Sequence, residues 1–357
     1  MFKKSSSDLP FDELHGSLNS YSQLTVDERA NTPDRKIELK LTEINCMGQI
    51  DLSKALYSLT VAAFAFGTSA IFIRFATQAS ALSLTFFRLS IAAIGMLVFA
   101  YSRRELTVLT RVDLILVAVS GVMLSLHFVM FILSVKFTTV ANATFLVSTS
   151  PVLLVVLSPI LLRERTTSRE AVGVAIAILG ILLVADAGNG FRSFGLGEYS
   201  ALFAALFVSF YSIIGRHLRT HGVSTACYTA YVYSISTIIA FSLAEMLGAN
   251  TFSSYDMTNT VAILGLALVP TLLGHSLYNY SLGSVKAVTA NLFPLLEPVL
   301  SSVFAVPLFG EIPTIIQLLG YLLILSAVII VVTDSNQVIE SKGDSPPGYT
   351  ITSCDLS

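Results

Sequence analysis

A single carboxylate lies in the middle of an apolar segment near the end of the chain. Residues 289–311 read TANLFPLLEPVLSSVFAVPLFGE, and Glu297 stands at the centre of this segment between Pro294 and Pro298. An ionisable side chain inside a membrane is costly, so it usually faces the protein interior or a water-filled cavity. Each proline also leaves the carbonyl four residues earlier without its backbone donor. We therefore interpret Glu297 as a polar contact on a kinked, inward-facing helix.

A second polar group lies on one face of another apolar segment. His275, Tyr278 and Asn279 are spaced i, i+3 and i+4, so they share a helix face. A histidine can bind a substrate or carry a coupling proton near neutral pH, but it can also be a satisfied interior donor. His127 lies 148 positions before His275, in the corresponding segment. We expect the His275 face to line a cavity and leave proton coupling open.

Other residues of these segments complete the candidate site. Arg88 lies within an apolar segment. It has either a structural role, in which it satisfies backbone carbonyls or a carboxylate between helices, or a functional role as an anion contact or gate. Pro151 introduces a kink like that of Pro298. We predict that the following residues contact a substrate, either as polar groups or as aromatic walls: His275, Tyr278, Asn279, Asn291, Glu297, Asn142, Ser150, Tyr211 and Phe64. We predict structural or gating roles for Arg88, Pro151, Pro298, Glu164 and Glu311.

The sequence contains no motif of a soluble enzyme. There is no Walker A sequence, no HExxH, no CxxC and no nucleophile elbow. The three cysteines, Cys46, Cys227 and Cys354, have neither metal-binding nor redox spacing. We therefore predict no catalytic residue, no metal, no cofactor and no nucleic-acid partner, and any energy coupling has to come from gradients, exchange or ions.

The composition indicates that these residues belong to membrane helices. Of the 357 residues 54% are hydrophobic and only 12% are charged, whereas soluble proteins carry about 25% charged residues. Apolar runs of about 20 residues predict an all-α membrane protein with ten transmembrane helices. We place these helices near 55–76, 81–102, 112–133, 138–161, 169–186, 197–218, 224–247, 259–281, 285–308 and 313–333.

The loop charges predict the orientation of these helices. With the N-terminus in the cytoplasm, nine Lys or Arg residues lie on the inner side and three on the outer side. Both ends are then cytoplasmic, and we interpret 1–53 and 335–357 as disordered tails because they are polar and contain no apolar core. The expected location is the plasma membrane, or an organellar membrane in a eukaryote.

The two halves of the chain resemble each other at a spacing of 147 residues. This spacing aligns Pro151-Val152-Leu153 with Pro298-Val299-Leu300, Glu164 with Glu311, and Gly173 with Gly320. Each unit has five predicted helices, 54–187 and 195–334, so the second unit enters the membrane from the opposite side. Inverted repeats of this kind place a site between two similar gates, as alternating access requires.

The segments with the most characteristic sequence also resemble a known family. They are FAFGTSAIFIRFA (64–76), LTFFRLSIAAIG (84–95), ANATFLVSTSPVLLVVLSPILLRER (141–165) and LLEPVLSSVFAVPLFGE (295–311). In these segments the chain resembles EamA-type members of the drug/metabolite transporter superfamily. The resemblance implies two inverted five-helix EamA repeats and the export or exchange of amino acids, other metabolites or drugs.

We therefore expect a secondary transporter of small organic solutes that works by alternating access. A nucleotide-sugar or organic-phosphate exchanger is an alternative, but its anionic substrate needs cationic side chains in the cavity, and Arg88 is the only deep one in the predicted spans. A receptor or scaffold that does not transport is an alternative of another class. The sequence leaves the oligomeric state open.

Overall fold

The computed structural model describes residues 52–186, 195–310 and 312–333. These ranges contain helices and connections but no strand. The predicted tails lie outside them, apart from residues 52 and 53, and so does Glu311. The helices are α1 Leu52–Phe75, α2 Ala81–Ser102, α3 Arg111–Phe137, α4 as the two segments Val140–Val147 and Ser150–Leu161, α5 Ser168–Asp186, α6 Leu196–Thr220, α7 Thr225–Met246, α8 Met257–Ser281, α9 Ala287–Phe309 and α10 Ile315–Val332.

Most of these helices have the length and composition of membrane spans. Within the described residues, nine are long and apolar enough to cross a membrane, namely all except α5. The helix α5 has 19 residues and lies between α4 and the gap at 187–194. The all-helical character expected from the composition is therefore confirmed over the described ranges.

Polar side chains fix the positions at which several helices begin. The hydroxyl oxygens of Ser80, Thr110 and Ser224 accept hydrogen bonds from backbone amides in the first turns of α2, α3 and α7. A cap of this type satisfies a donor that has no partner within the helix. Thr139 does the same for α4. These caps set the helix starts, and thereby the register of the side chains that face the interior.

Two helices are interrupted at equivalent positions. The first segment of α4 ends at Val147, and the second begins at Ser150, directly before Pro151. In α9 a 3-10 turn over Phe293–Leu296 separates Ala287–Leu292 from Glu297–Phe309, directly before Pro298. The kinks predicted from the two prolines are therefore present, and both lie deep in the bundle.

The interrupted helices cross each other. The first segment of α4 packs against the last segment of α9, and the second segment of α4 packs against the first segment of α9. Around this crossing α2 pairs with α7, and α5 pairs with α10. A Cβ atom on Gly180 of α5 would lie 2.6 Å from the carbonyl oxygen of Gly320 in α10, so this close approach requires glycine. The two halves are intertwined, with the breaks of α4 and α9 near the centre.

Contacts between the connections define two ends of the bundle. We call the end at which α1 begins face 1 and the opposite end face 2. At face 1, Arg169 in the first turn of α5 donates to the Thr333 carbonyl after α10 (3.4 Å). At face 2, Gln78 after α1 donates to Asp256 before α8 (2.8 Å). These contacts fit helices that alternate in direction along the chain.

Candidate functional site

A cavity lies where the two halves meet, beside the breaks in α4 and α9. Its volume is about 50 Å³, which is room for roughly three water molecules. Seven helices line it, three from the second half and four from the first. The lining residues are Phe66, Ser69, Arg88, His127, Phe128, Phe131, Val147, Ser148, Ser150, Val208, His275, Tyr278, Asn291, Pro294 and Glu297.

Arg88 brings a cationic group to this cavity from α2. The side chain is 1% exposed, its Nε donates to the hydroxyl of Thr271 (2.9 Å), and its guanidinium carbon lies 3.6 Å from the centre of the Phe128 ring. The aromatic ring and the hydroxyl hold the guanidinium in place. Its Nη1 atom, however, has no hydrogen-bond partner among the described residues. Arg88 therefore presents an unused donor to the cavity.

His275 presents an unused ring nitrogen to the same cavity. Its ring packs against Phe66 and Phe128, with centroid distances of 4.8 and 4.9 Å, and its Nδ1 has no partner in the described part of the chain. It ends a π-helical stretch of α8, Ala267–His275, which contains Pro270. Such stretches displace side chains from the ordinary helical register and are frequent at functional sites. Here the stretch ends on the cavity wall.

Glu297 supplies a carboxylate at the start of the last segment of α9. Its Oε1 is buried and has no hydrogen-bond partner among the described atoms. It lies in the first turn of Glu297–Phe309, where the helix dipole favours a negative charge. Arg88 and Glu297 both line this cavity, yet the pair does not meet the distance of a salt bridge. A basic and an acidic group thus line one cavity, each with an unused polar atom.

A chain of hydrogen bonds connects the two halves on one side of the cavity. Ser150 donates to the Oδ1 of Asn291 (3.4 Å), and the Nδ2 of Asn291 donates to the Tyr278 hydroxyl (2.5 Å). Tyr278 in turn donates to the hydroxyl of Ser212 (2.7 Å). This chain fixes the orientation of Asn291 and Tyr278, so the cavity wall is rigid on this side.

The structure brings five of the predicted contact residues to the cavity and leaves four elsewhere. Asn279 and Tyr211 are fully buried behind the wall, where the Asn279 amide donates to the Tyr211 hydroxyl (2.5 Å). Phe64 is 55% exposed on the outside of the bundle, because it lies two residues from the inward-facing Phe66. Asn142 lies in the first turn of α4 at face 2 and donates to Thr138 (3.4 Å). These four side chains do not reach the cavity.

Some lining residues were not among the predicted contacts. His127 lines the cavity next to His275, with ring centroids 6.3 Å apart, although their spacing of 148 indicates different helix faces. Phe128, which lies 147 positions before His275, also lines it. The other lining residues outside the predicted contact, structural and gating residues are Phe66, Ser69, Phe131, Val147, Ser148, Val208 and Pro294. Applying the repeat spacing to His275 would have identified Phe128, whereas nothing in the sequence distinguishes Ser69 or Val208.

The predicted structural residues have specific partners. Glu164 pairs with Arg216 (2.5 Å), and its other carboxylate oxygen accepts from the backbone amide of Ala287 (3.3 Å). It therefore contacts the first residue of α9 from the α4–α5 connection. At the start of α5, the hydroxyl of Thr167 accepts from the amide of Glu170 (3.1 Å), and the Glu170 carboxylate accepts from the amide of Thr167 (2.7 Å). Glu311, the counterpart of Glu164 in the second half, lies outside the described residues.

The cavity brings together polar groups of both charge signs. Within the described ranges, no three His, Cys, Asp or Glu side chains are grouped to hold a metal. The cavity instead offers an unused cationic donor, an unused carboxylate oxygen and an imidazole beside aromatic rings. This arrangement suits a small organic molecule with polar groups at one end.

Comparison with known proteins identifies a family over nearly all of the described chain. The model of the EamA-like transporter family matches residues 53–185 and 195–333, one match for each half. A solved crystal structure with 18% sequence identity superimposes with a TM-score of 0.65, covering 78% of this chain and 96% of the other. The latter similarity concerns the fold alone.

Curated relatives are similar to parts of this chain. A protein of Salmonella typhimurium named "Probable amino-acid metabolite efflux pump" is 29% identical over 175 residues, covering 47% of this chain and 58% of the relative. A "Probable terminal-alkyne amino-acid exporter" of Streptantibioticus cattleyicolor is 28% identical over 194 residues, covering 53% and 63%. An "Uncharacterized transporter" of Archaeoglobus fulgidus is 22% identical over 262 residues, covering 71% and 89%. The chain thus spans about three fifths of the first two relatives.

Proposed function

We propose, from the premise that the chain belongs to the EamA-like transporter family, that it is a secondary transporter of small organic solutes. The cavity between the halves is the proposed substrate site. The observation that carries this proposal is the presence of three unpartnered polar atoms, Arg88 Nη1, His275 Nδ1 and Glu297 Oε1, on one cavity. A buried polar atom without a partner is costly, and a polar ligand would supply the partner.

The charges of the site favour a ligand that carries both signs. A carboxylate on the ligand would accept from Arg88, and an ammonium group would donate to Glu297. The apolar part would then lie against Phe66, Phe128 and Phe131. The amino-acid exporters among the relatives support this assignment, so we propose amino acids and related metabolites as the first substrates to test. A nucleotide-sugar or organic-phosphate substrate fits less well, because Glu297 would repel its phosphate.

Transport by alternating access follows from the inverted halves. When α5 is counted as a tenth span beside the nine candidates, both ends of the chain lie on the same side of the membrane. The loop charges assign this side to the cytoplasm. Face 1 is then cytoplasmic and face 2 is external, at the plasma membrane. The cavity is too small for an amino acid in this conformation, so it has to enlarge when the halves move. We propose export or exchange through such a movement.

Flux measurements on purified protein in liposomes test this function. Labelled amino acids and metabolites are screened first with the native chain, where substrate-dependent flux or exchange is expected. Glu297→Gln keeps the shape of the side chain and removes its charge, whereas His275→Ala removes the imidazole. Both variants should retain the fold and lose most of the flux.

Two results would contradict the proposal. An absence of flux and exchange across a broad panel would favour a receptor or scaffold that does not transport. Full transport by both variants would remove the assignment of the site while leaving transport intact. A matched control is Asn142→Ala, because Asn142 lies at face 2 away from the cavity, and this variant should transport at nearly the native rate.

A further inference from the structure

Two ion pairs join the halves of the chain at face 1. Glu164 pairs with Arg216 at 2.5 Å, and Glu170 pairs with Lys286 at 3.7 Å. The carboxylates belong to the α4–α5 connection and the start of α5, and the cations belong to the end of α6 and the α8–α9 connection. Each pair therefore crosses between the halves. We call these four residues the face 1 cluster.

The Glu170–Lys286 pair is the more deeply buried of the two. The side chain of Lys286 is 5% exposed and that of Glu170 is 1% exposed. Glu170 also accepts from the hydroxyl of Thr289 (3.1 Å), and the Lys286 ammonium donates to the Arg165 carbonyl (2.9 Å). A buried ion pair is tolerated when further hydrogen bonds satisfy both groups, which is the case here. These bonds hold the start of α9 against the start of α5.

The equivalent positions at face 2 are neutral and less buried. The spacing of 147 relates Lys286 to Thr139 and Glu170 to Gln317. Thr139 is exposed and Gln317 is half-buried, whereas Lys286 and Glu170 are buried. An ion pair at face 1 thus corresponds to two uncharged side chains at face 2. At these two positions, therefore, the faces of the inverted repeat differ in charge.

This difference sets a preference between the two conformations of the transporter. Opening the site to face 1 has to separate the start of α9 from the start of α5, and so leaves two buried charges without partners. Opening to face 2 separates only neutral side chains at the equivalent positions. An equilibrium between two states shifts by the difference in interaction free energy between them. We infer that Glu170 and Lys286 form a latch that keeps the substrate site closed to face 1, an inference that rests on the proposed function.

Replacing the latch with the residues of face 2 tests this inference. The variant Glu170→Gln with Lys286→Thr removes both charges together, so neither is left unpaired. The probe is Ser212→Cys in a chain in which Cys46, Cys227 and Cys354 are replaced by serine. Ser212 is fully buried and lies one turn from Val208 at the cavity and one turn from Arg216 in the cluster. A thiol at 212 reports opening of the path from face 1.

A membrane-impermeant thiol reagent is applied at face 1 of protein in oriented vesicles. We expect slow labelling in the native background and labelling on the order of tenfold faster in the double variant, a typical size for coupling between states. Labelling of Ser148→Cys at the cavity from face 2 should become slower to a corresponding extent. Lys286→Arg, which keeps the charge, is the matched control and should label at nearly the native rate.

Two labelling results would overturn the latch. The first is unchanged labelling at 212 in a double variant that keeps the native thermal stability. The second is faster labelling from both faces, because that result indicates loosened packing and not a shift between two states. Because thiol labelling needs no transported substrate, the latch can be established even where the flux screen fails, and flux can be present where the latch is absent.

Discussion

The two halves of the chain contribute walls of different polarity to the cavity. At the spacing of 147 residues, Phe128 corresponds to His275, Phe131 to Tyr278, Val147 to Pro294 and Ser150 to Glu297. All eight line the cavity. In three of these pairs the second-half residue carries a polar or charged group where the first-half residue has an apolar side chain or a hydroxyl.

The difference shows how a symmetric frame can hold an asymmetric ligand. The helix breaks before Pro151 and Pro298 occur in both halves, so the crossing of α4 and α9 is shared architecture. Where two repeat-related lining residues differ in polarity, in contrast, the more polar side chain belongs to the second half, and the first half adds polar groups at other positions, namely Ser69, Arg88, His127 and Ser148. A ligand with one polar end and one apolar end would therefore have a preferred orientation. Substitutions that make a second-half residue more like its first-half counterpart should weaken that preference.

The largest effect is expected when Glu297 is replaced by its counterpart. Glu297→Ser removes the carboxylate and places the side chain of Ser150 at the equivalent position. A hydrogen bond to a charged group contributes about 1.5–3 kcal/mol, so the flux at low substrate concentration should fall on the order of 10- to 100-fold. Flux of the best substrate in liposomes measures this.

The matched control for this prediction is Ser150→Ala. The Ser150 hydroxyl makes one long hydrogen bond of 3.4 Å to Asn291, so its loss should change the flux less than about threefold. Equal losses in the two variants would mean that the polarity of the two walls has no bearing on transport.

A smaller effect is expected when His275 is replaced by its counterpart. His275→Phe keeps an aromatic ring between Phe66 and Phe128 and removes the free Nδ1. Loss of a hydrogen bond between neutral groups costs about 1 kcal/mol, so the flux should fall roughly fivefold. The thermal midpoint should stay near that of the native chain.

The corresponding control is His275→Ala, which loses both the nitrogen and the ring packing. A larger flux loss and a lower midpoint than in His275→Phe are expected. If His275→Phe transported at the native rate, the imidazole would be a packing group, and the unpaired atoms of the site would be reduced to those of Arg88 and Glu297.

Removal of the Tyr278 hydroxyl should act on stability more than on transport. Tyr278→Phe gives α8 the ring of Phe131 and breaks the chain between Asn291 and Ser212. The expected cost is about 1 kcal/mol, or a fall of roughly 2–4 °C in the thermal midpoint. The measurement is a thermal unfolding curve of the purified protein in detergent.

A double-mutant cycle sharpens this prediction. Ser212→Ala removes the acceptor of the Tyr278 hydroxyl, so the combined variant should be less destabilised than the sum of the two single variants. Additive losses would indicate that the hydroxyl is not coupled to Ser212. The wall would then be held by packing, as its first-half counterpart is.

The sequence predicts the frame better than it predicts the site, for a physical reason. The breaks in α4 and α9 are indicated by Pro151 and Pro298, together with Pro294 in α9, because proline removes a backbone donor wherever the helix packs. Glu297 and His275 were found because polar groups in apolar segments have to face the interior. That rule does not separate the cavity wall from the layer behind it, where Asn279 and Tyr211 bond to each other.

Apolar lining and long-range pairing are harder still to predict. Phe64 and Phe66 are indistinguishable in composition, and helix rotation decides which one faces inward. The partner of Glu164 is Arg216, 52 positions away, and no local pattern indicates that pairing. The repeat spacing is the useful signal here, since it relates Phe128 to His275 and Thr139 to Lys286 from the sequence alone.

The smallest effect concerns the caps of the equivalent helices α3 and α8. The cap of α3 is the hydroxyl of Thr110, whereas the cap of α8 is the carboxylate of Asp256, just outside the membrane span. The Asp256 carboxylate accepts hydrogen bonds from the backbone amide of Asn259, from the side-chain amide of Asn259 and from Gln78. These hydrogen bonds hold the pKa of the Asp256 carboxyl below its usual range. The second half therefore has a titratable cap where the first half has a neutral one.

The sign of the pH dependence follows from this lowered pKa. The unfolded chain binds the proton more tightly than the folded chain, so the stabilisation is present above the unfolded pKa of about 3.9 and is lost as the pH falls through the lower folded value.

Asp256→Thr copies the cap of α3 and abolishes this titration. Between about pH 5 and about pH 3, a window that brackets the ordinary carboxyl pKa, the thermal midpoint of the native chain should fall slightly more than that of the variant. Added salt should leave this difference largely unchanged, because it arises from hydrogen bonds and not from distant charges. Parallel curves for the two proteins would show that the charged cap of α8 has no role in stability beyond that of the threonine cap of α3.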